Sequence, residues 1–275
     1  MSTGRDLRGV TSVDDELFAL LVYRRDNQVA VYSINDYKLL RHLSVPGIPG
    51  YKPDVDSDIT SCVRYKCIYM SDCQNSCVHK YDLKGTSIAV IKRLVGSDIK
   101  KWSVLDSPRG LSVTLSCNLL VTCQGKRNKL VEMSADSGQR VREIELQSDI
   151  KYPHHSVQMT TGQYLVCHGG GSSDLHRVCV VGDDGKVTRS YGGQCGSDVG
   201  QLNYPCHLAV DKDSQFIFVA DNNNNRVVLL SPTLEFVRYV TEGLSWPCRL
   251  YFHQATRRLF VGEAVHSGAI TVVQL

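Results

Sequence analysis

Histidines are the residues of this chain best suited to catalysis or metal binding, because a neutral imidazole can bind zinc and can also transfer protons near neutral pH. Two similar stretches, "YPHHSV" and "YPCHLAV", place His155 and His207 at matching positions. Three such histidines could hold Zn²⁺ and leave an open position for a substrate. The third matching position is Arg249, in "WPCRLYF", where a cation would oppose a metal ion. We therefore predict structural or recognition roles for these residues, no metal and no cofactor.

The alternative is an enzyme with a metal-dependent site built from irregular ligands. No serine, cysteine or lysine stands in a recognisable nucleophile motif. The stretch "HGGGSSD", residues 168–174, lacks the Lys-Ser/Thr pair and the helix of a phosphate-binding loop. The sequence therefore favours a protein without catalytic activity.

Eleven cysteines are a high count for 275 residues. Most lie inside or beside short apolar stretches, where a free cysteine behaves as a small hydrophobic residue. Cys73 and Cys77 could suggest a metal site, but no second pair follows at zinc-finger spacing, so a structural role is favoured. The opening "MSTGRDLRGV" lacks an apolar signal, and no apolar run reaches the about 18 residues of a membrane span. We predict reduced thiols, a cytoplasmic location and no membrane association.

The strands that must position these residues recur six times along the chain. The second strand of each copy reads ELFALLVY, KCIYMSD, NLLVTC, QYLVCH, QFIFVAD and RLFVGE. A short apolar strand precedes each of them, a third follows, and a fourth follows in five copies, with Gly, Asp, Asn and Pro in the turns. Four short antiparallel strands at a period of roughly 42 to 52 residues are typical of a β-propeller blade.

The predicted fold class is therefore all-β, a single six-bladed β-propeller over residues 1–275 with four-stranded antiparallel blades. The last blade is expected to have three strands unless the first six residues supply an edge. The copies begin near Leu7, Asp58, Pro108, Pro153, Pro205 and Pro247. The predicted blades span about 7–57, 58–107, 108–152, 153–204, 205–246 and 247–275.

The fifth copy carries a family signature. Residues 200–231, "GQLNYPCHLAVDKDSQFIFVADNNNNRVVLLS", combine a proline, an "xAVD" strand, a "VAD" strand, an asparagine-rich turn and an arginine. This segment resembles an NHL repeat, and the other copies resemble it in degenerate form. The four asparagines suit a hairpin turn, because asparagine tolerates left-handed backbone angles. Asp221 and Arg226 at its ends are predicted to form an ion pair that contributes about 0.2 to 1 kcal/mol if exposed.

The degenerate copies change this pair. In the second copy Asp72 keeps the acid, but Cys77 stands where the arginine is expected. In the fourth copy Arg177 keeps the base, but His168 stands where the aspartate is expected. The first, third and last copies keep neither residue.

The resemblance implies a propeller that serves as a recognition domain. In tripartite-motif NHL proteins such a domain follows RING, B-box and coiled-coil segments and binds proteins or RNA. Those segments are not found in this sequence, so ubiquitin-ligase chemistry would reside outside this chain. NHL-like propellers also include a zinc-dependent amidating lyase, so the resemblance implies, as a second alternative, a metal-dependent lyase-like or hydrolase-like propeller enzyme.

Positive charge is predicted to collect on one face of the propeller. The net charge is only +3, from 31 Lys and Arg against 28 Asp and Glu, which by itself does not argue for nucleic acid. The loops between second and third strands share a face with the connections into each first strand, and there the cations outnumber the acids. Such a face suits an acidic peptide or the phosphates of single-stranded RNA. The predicted binding residues are Arg109, Lys126, Arg127, His155, His168, His207 and Arg249.

We predict a protein partner, bound through an acidic segment near the central channel by a monomeric domain. Single-stranded RNA is the alternative ligand, and it ranks second because few aromatic side chains for base stacking lie in these loops. A small-molecule ligand is not expected.

Overall fold

The computed structural model describes residues 6–22, 28–44, 57–83, 99–103, 106–171, 173, 175–264 and 269–275. In these residues, strands β1 to β23 form six antiparallel sheets, five with four strands and the last with three. The helical structure in the same residues is a single 3₁₀ turn, Asn222–Asn224. No helix in this part of the chain is long and apolar enough to cross a membrane. The prediction of an all-β, six-bladed propeller with a three-stranded last blade is confirmed.

Each sheet is one blade, and its strands are adjacent in chain order. Blade 1 contains β1 (Asp6–Val13), β2 (Glu16–Val22), β3 (Gln28–Ser33) and β4 (Leu39–Ser44). Blade 2 contains β5 (Ile59–Cys62), β6 (Cys67–Asp72), β7 (Cys77–Asp82) and β8 (Ile99–Ser103). Blade 3 contains β9 (Ser107–Val113), β10 (Leu119–Gln124), β11 (Lys129–Met133) and β12 (Arg140–Glu145).

The second half of the ring repeats this arrangement. Blade 4 contains β13 (Pro153–Gln158), β14 (Tyr164–His168), β15 (Leu175–Val181) and β16 (Val187–Gln194). Blade 5 contains β17 (Pro205–Val210), β18 (Ile217–Asp221), β19 (Arg226–Leu230) and β20 (Phe236–Thr241). Blade 6 contains β21 (Pro247–His253), β22 (Arg258–Glu263) and β23 (Ile270–Gln274).

The core lies between the blades. Each pair of neighbouring blades encloses one hydrophobic cluster, so the second and third strands are covered on both faces. Strands β18 and β19 are buried at every position. This explains their apolar runs, because a strand covered on both faces loses the alternation of a half-exposed one.

The ring closes between blade 6 and blade 1, where β21 contacts β1. Leu7 of blade 1 packs in one cluster with Phe260 and Ile270 of blade 6. The Arg249 Nε donates a hydrogen bond of 2.7 Å to the Arg8 carbonyl across the same junction. Closure therefore depends on packing and on a buried arginine, although blade 6 has three strands in the described residues.

Candidate functional site

Bulges in the first strands build the wall of the central channel. In five blades the register between the first and second strands shifts by one residue near the start of the first strand. A bulge leaves one residue unpaired and turns its side chain away from the sheet, and bulges often occur beside functional sites. The residues at these irregularities are Arg8, Arg109, His154, Cys206 and Cys248, and all five line one cavity at the channel mouth.

The channel-mouth cavity has a volume of about 320 Å³. Three arginines line it, Arg8, Arg109 and Arg249, and Asp58 is the only acid among the described residues that line it. Gly110 also lines it, and a Cβ there would lie 2.5 Å from the His154 carbonyl oxygen, so the close approach of blades 3 and 4 requires glycine. The wall therefore carries more positive than negative charge. The remaining lining residues are His154, Tyr204, Cys206, His207, Asn222, Trp246, Cys248 and Ala264.

Aromatic residues stand at the rim in a strained backbone conformation. Tyr152, Tyr204 and Trp246 each precede the proline that opens a first strand, and their φ angles are +53°, +59° and +54°. Positive φ is uncommon for large side chains, and such strain clusters at binding sites and active sites. Trp246 is 58% exposed. Tyr204 packs against the His154 ring, with centroids 4.6 Å apart. Trp246 is thus the side chain of the three most available to a ligand.

Asp58 lies in the channel, at the base of the cavity. Its Oδ2 is 3.4 Å from His207 Nε2 and accepts a 2.9 Å hydrogen bond from the Leu111 backbone N–H. Its Oδ1 is 3.5 Å from Arg249 Nε and accepts a 2.9 Å bond from the Ile59 N–H. Burial opposes ionisation of Asp58, but these neighbours outweigh burial and lower the pKa of its carboxyl to about 2. Asp58 is therefore a buried carboxylate with a buried guanidinium as its counter-ion.

The two channel histidines stack on each other, with ring centroids 3.7 Å apart. Burial and the neighbouring His207 ring lower the pKa of His155 to about 3. Burial also lowers the pKa of His207. Both rings are therefore neutral at pH 7. His207 also lines a second cavity, of about 400 Å³, at the end of the channel where the first strands finish. The stacked pair thus separates the two cavities.

The backbone fixes the tautomer of both rings. The Leu250 N–H donates to His207 Nδ1 at 3.3 Å, so the proton of that ring sits on Nε2, facing Asp58. The His155 Nε2 is 3.0 Å from the Leu111 carbonyl oxygen, which accepts its proton. A metal needs an unprotonated ring nitrogen. Neither Nε2 offers one toward Asp58, and Arg249 adds a positive charge, so these residues do not fit a channel zinc ion although their positions would allow it.

The structure brings four of the seven predicted binding residues together and leaves three elsewhere. Arg109, His207 and Arg249 line the cavity, and His155 lies beneath it. Lys126 and Arg127 lie in the exposed turn between β10 and β11, where the 77% exposed Arg127 pairs with Glu145 at 3.1 Å. They are not among the residues that line the cavity.

His168 is buried at the end of β14, away from the channel mouth. Its Nδ1 donates to the Lys151 carbonyl at 3.3 Å, and its Nε2 accepts from Arg177 Nε at 3.2 Å. Burial and the charge of Arg177 lower the pKa of His168 to about 4. His168 therefore joins β15 to the segment that precedes β13.

In the blade 5 hairpin, the Asp221–Arg226 pair lies in a more buried environment than the sequence predicted. The pair forms, with Arg226 Nε 2.8 Å from Asp221 Oδ2, but both side chains are buried and not exposed. Burial raises the pKa of the Asp221 carboxyl, against hydrogen bonds from the Asn203 N–H, Asn224 Nδ2 and Arg226. The estimate for an exposed pair therefore does not apply here. The asparagine tetrad is a turn, as predicted, with Asn225 in the left-handed conformation.

Sequence reasoning missed Asp58, Arg8 and His154 as channel residues. The sequence indicates Asp58 only as the start of a repeat. It reaches the channel because β5 begins one residue later and has no register shift, unlike the other first strands. His154 stands one residue before the matched channel position, and only the bulge in β13, which the strand pattern does not show, brings it into the cavity.

All eleven cysteines lie in the described residues, and each is a free thiol. The cytoplasmic location stays a prediction. Cys73 and Cys77 do not point to a common partner: the Cys73 thiol donates to the Pro108 carbonyl, whereas Cys77 lies beside His79.

No family model matches the chain, and no curated protein matches it in sequence. Solved structures match over nearly the whole chain. A catalytically inactive virginiamycin B lyase from Staphylococcus aureus with quinupristin is 12% identical, with a TM-score of 0.63 over 99% of this chain and 85% of that one. Kuenenia stuttgartiensis hydrazine synthase is 14% identical, with a TM-score of 0.66 over 100% and 96%. A nidogen/laminin complex chain is 13% identical, with a TM-score of 0.61 over 86% and 80%.

These similarities show the fold alone. Propellers of this shape include enzymes as well as proteins crystallised in complexes with other proteins. This chain is thus a six-bladed β-propeller, and its function has to be inferred from its own channel residues.

Proposed function

We propose that this chain is a non-catalytic recognition propeller, of the kind found in NHL-repeat proteins, that binds an acidic protein segment at its channel mouth. The observation that carries the proposal is the cavity wall itself. Bulges place Arg8 and Arg109 there together with Arg249, against one carboxylate. A concave wall with excess positive charge favours a carboxylate ligand, because charges of one sign in a cleft reinforce one another's field.

The rim supports a peptide over a polynucleotide. Trp246 offers one exposed ring beside the cavity, which suits an apolar side chain next to an acidic one. A single-stranded nucleic acid requires a series of stacking rings along a basic groove. The exposed cations Lys126 and Arg127 do not extend the cavity into such a groove.

The buried centre supports binding without chemistry. The Asp58 carboxylate is engaged by Arg249 and by two backbone N–H groups. The two channel histidines are neutral, and each is held by a backbone group. A general acid or base has to reach the reacting atoms and exchange a proton with them. These groups are instead used to join the blades.

The experiment that tests this proposal is a fluorescence titration. The chain has two tryptophans, of which Trp102 is buried, so Trp246 reports on the channel mouth. The probes are Glu-rich peptides carrying one apolar residue, their Gln counterparts, and a uridine decamer. We expect the acidic peptides to bind, with affinity that falls as salt rises and that decreases at least tenfold in Arg109→Ser.

The matched control is the variant Lys126→Ser/Arg127→Ser, which removes two cations that do not line the cavity. It should bind the acidic peptides like the parent protein, and thermal unfolding should show that all three proteins are folded. Equal binding of the Gln peptides, or an unchanged affinity in Arg109→Ser, would contradict the proposal. Preferential binding of the uridine decamer would assign the site to nucleic acid.

A further inference from the structure

A second cluster of ligand-type side chains lies outside the channel, at the hairpin end of blade 2. Cys77 and His79 are two residues apart on β7, so they lie on the same face of the strand. Asp72, the last residue of β6, is the register partner of Cys77. All three residues are buried, and one ligand atom of each lies within 4.8 Å of the others. The cluster has the mixed oxygen, nitrogen and sulfur donors that zinc accepts.

The distances agree with a common central ion. His79 Nε2 is 3.0 Å from Asp72 Oδ2 and 3.5 Å from Cys77 Sγ. Ligands at zinc bond lengths of about 2.0 to 2.3 Å lie about 3.3 to 3.6 Å apart around a tetrahedron. The cluster therefore needs only small adjustments to surround a metal.

The arrangement does not suit a proton relay. In a Cys-His-Asp triad the thiol and the carboxylate bind opposite nitrogens of the imidazole. Here both face the same nitrogen, Nε2. When His79 Nε2 donates its proton to the carboxylate, the Cys77 sulfur can only accept weakly from the same N–H, and the thiol proton has no acceptor at this nitrogen. A metal ion at the centre would bind all three groups at once.

The charges at the matching positions of other blades give an independent reason to expect a cation in blade 2. In blade 5 the residue opposite Asp221 is Arg226, and its guanidinium neutralises the buried carboxylate. In blade 4 the residue opposite His168 is Arg177, so a cation again occupies this position. Blade 2 has Cys77 there instead. The Asp72 carboxylate is buried and accepts hydrogen bonds from the Asn75 backbone N–H at 3.1 Å and from Asn75 Nδ2 at 2.9 Å, both of which are uncharged donors.

We propose that Asp72, Cys77 and His79 bind one zinc-type divalent cation that replaces the arginine of the other blades. Binding converts the Cys77 thiol to a thiolate and releases its proton to solvent, while His79 binds as a neutral imidazole. The dication, the carboxylate and the thiolate then sum to zero net charge. The three ligands are buried, so the fold would enclose the ion, and the fourth position of a tetrahedron would be left to a water molecule. Binding would fasten β6 to β7 as the ion pair does in blade 5.

The test uses the full chain, stripped with a chelator and then loaded with Co²⁺ or Zn²⁺. We expect one ion per chain by elemental analysis, and a cobalt spectrum with a thiolate charge-transfer band and the intense bands of tetrahedral coordination. Cys77→Ser should lose the thiolate band. His79→Gln should weaken zinc binding at least a hundredfold in competition with a chromophoric chelator.

The matched controls are Cys179→Ser, which removes the thiol beside His168 in blade 4, and His207→Gln in the channel. Both should keep the stoichiometry and the cobalt spectrum of the parent protein. Circular dichroism of the stripped variants should show that they are folded. No tight ion in the stripped and reloaded parent protein would overturn the proposal. A bound ion that survives Cys77→Ser and His79→Gln, or that is lost in His207→Gln, would overturn it equally.

Discussion

Two buried clusters of this propeller have nearly the same composition and different chemistry. The channel cluster joins Asp58 to two histidines, and the blade 2 cluster joins Asp72 to a cysteine and a histidine. In the channel, Arg249 neutralises the carboxylate, and backbone groups fix the protons of both histidines. In blade 2 no arginine lies opposite the carboxylate, since Cys77 occupies that register position.

The difference shows that ligand-type residues alone do not define a metal site. A buried carboxylate requires a positive partner, and either a guanidinium or a metal ion can supply it. In the channel the arginine comes from blade 6 and also donates to the carbonyls of Arg8 and Ser57, in blade 1 and just before blade 2. The channel cluster therefore joins different blades, whereas the blade 2 cluster lies within one hairpin.

The largest expected effect follows from removing the channel cation. Arg249→Leu leaves Asp58 buried without its counter-ion, and loss of one partner of a buried pair costs about 3 to 5 kcal/mol. Urea unfolding should show this loss in the free energy of unfolding. The double variant Asp58→Asn/Arg249→Leu should recover part of it, since it removes the unpaired charge. If Arg249→Leu lowers the free energy of unfolding by less than about 1 kcal/mol, Asp58 does not need Arg249 as its counter-ion.

The next effect is acid destabilisation through the neutral histidines. Burial lowers the pKa of His155 to about 3 in the folded protein, below the value of about 6.5 in an unfolded chain. The unfolded state therefore binds more protons below pH 6.5, and stability falls as the pH drops toward 3. His155 alone should cost about 2 kcal/mol between pH 7 and pH 5.

The measurement is urea unfolding at pH 7, 6 and 5 with chelator present, so that metal release does not contribute. His155→Gln should show a shallower pH dependence than the parent protein, by about 2 kcal/mol over this interval. His154 and His168, each with a pKa lowered to about 4 by burial, should add similar contributions in both proteins. Equal slopes in the two proteins would show that the pKa of His155 is the same in the folded and unfolded states.

The smallest effect on stability is expected when residues of blade 5 are introduced at the matching positions of blade 2. The variant Cys77→Arg/His79→Val reproduces Arg226 and Val228, which occupy the matching positions of β19. The arginine should neutralise Asp72, so zinc binding should disappear while the free energy of unfolding stays within about 1 kcal/mol of the metal-free parent. Calorimetric zinc titration and urea unfolding would measure both. Retained zinc binding in this folded variant would contradict the equivalence of arginine and metal.

The sequence by itself determined the blades of this protein. Strand repetition, turn residues and apolar runs are local, so "QFIFVAD" and "RVVLLS" predicted a hairpin before any partner was known. The matched positions of His155, His207 and Arg249 also followed, because each stands at the same distance from the start of a repeat.

Only the tertiary structure decided which of these residues meet and how they are charged. Asp58 and Arg249 come from blades far apart in the chain, and their contact depends on closure of the ring. The bulges that turn Arg109 and His154 into the cavity are properties of strand pairing and not of strand pattern. Burial then set the protonation states, because desolvation and backbone hydrogen bonds arise only in the folded chain. The same residue types therefore make a blade junction in the channel and a metal-type cluster in blade 2.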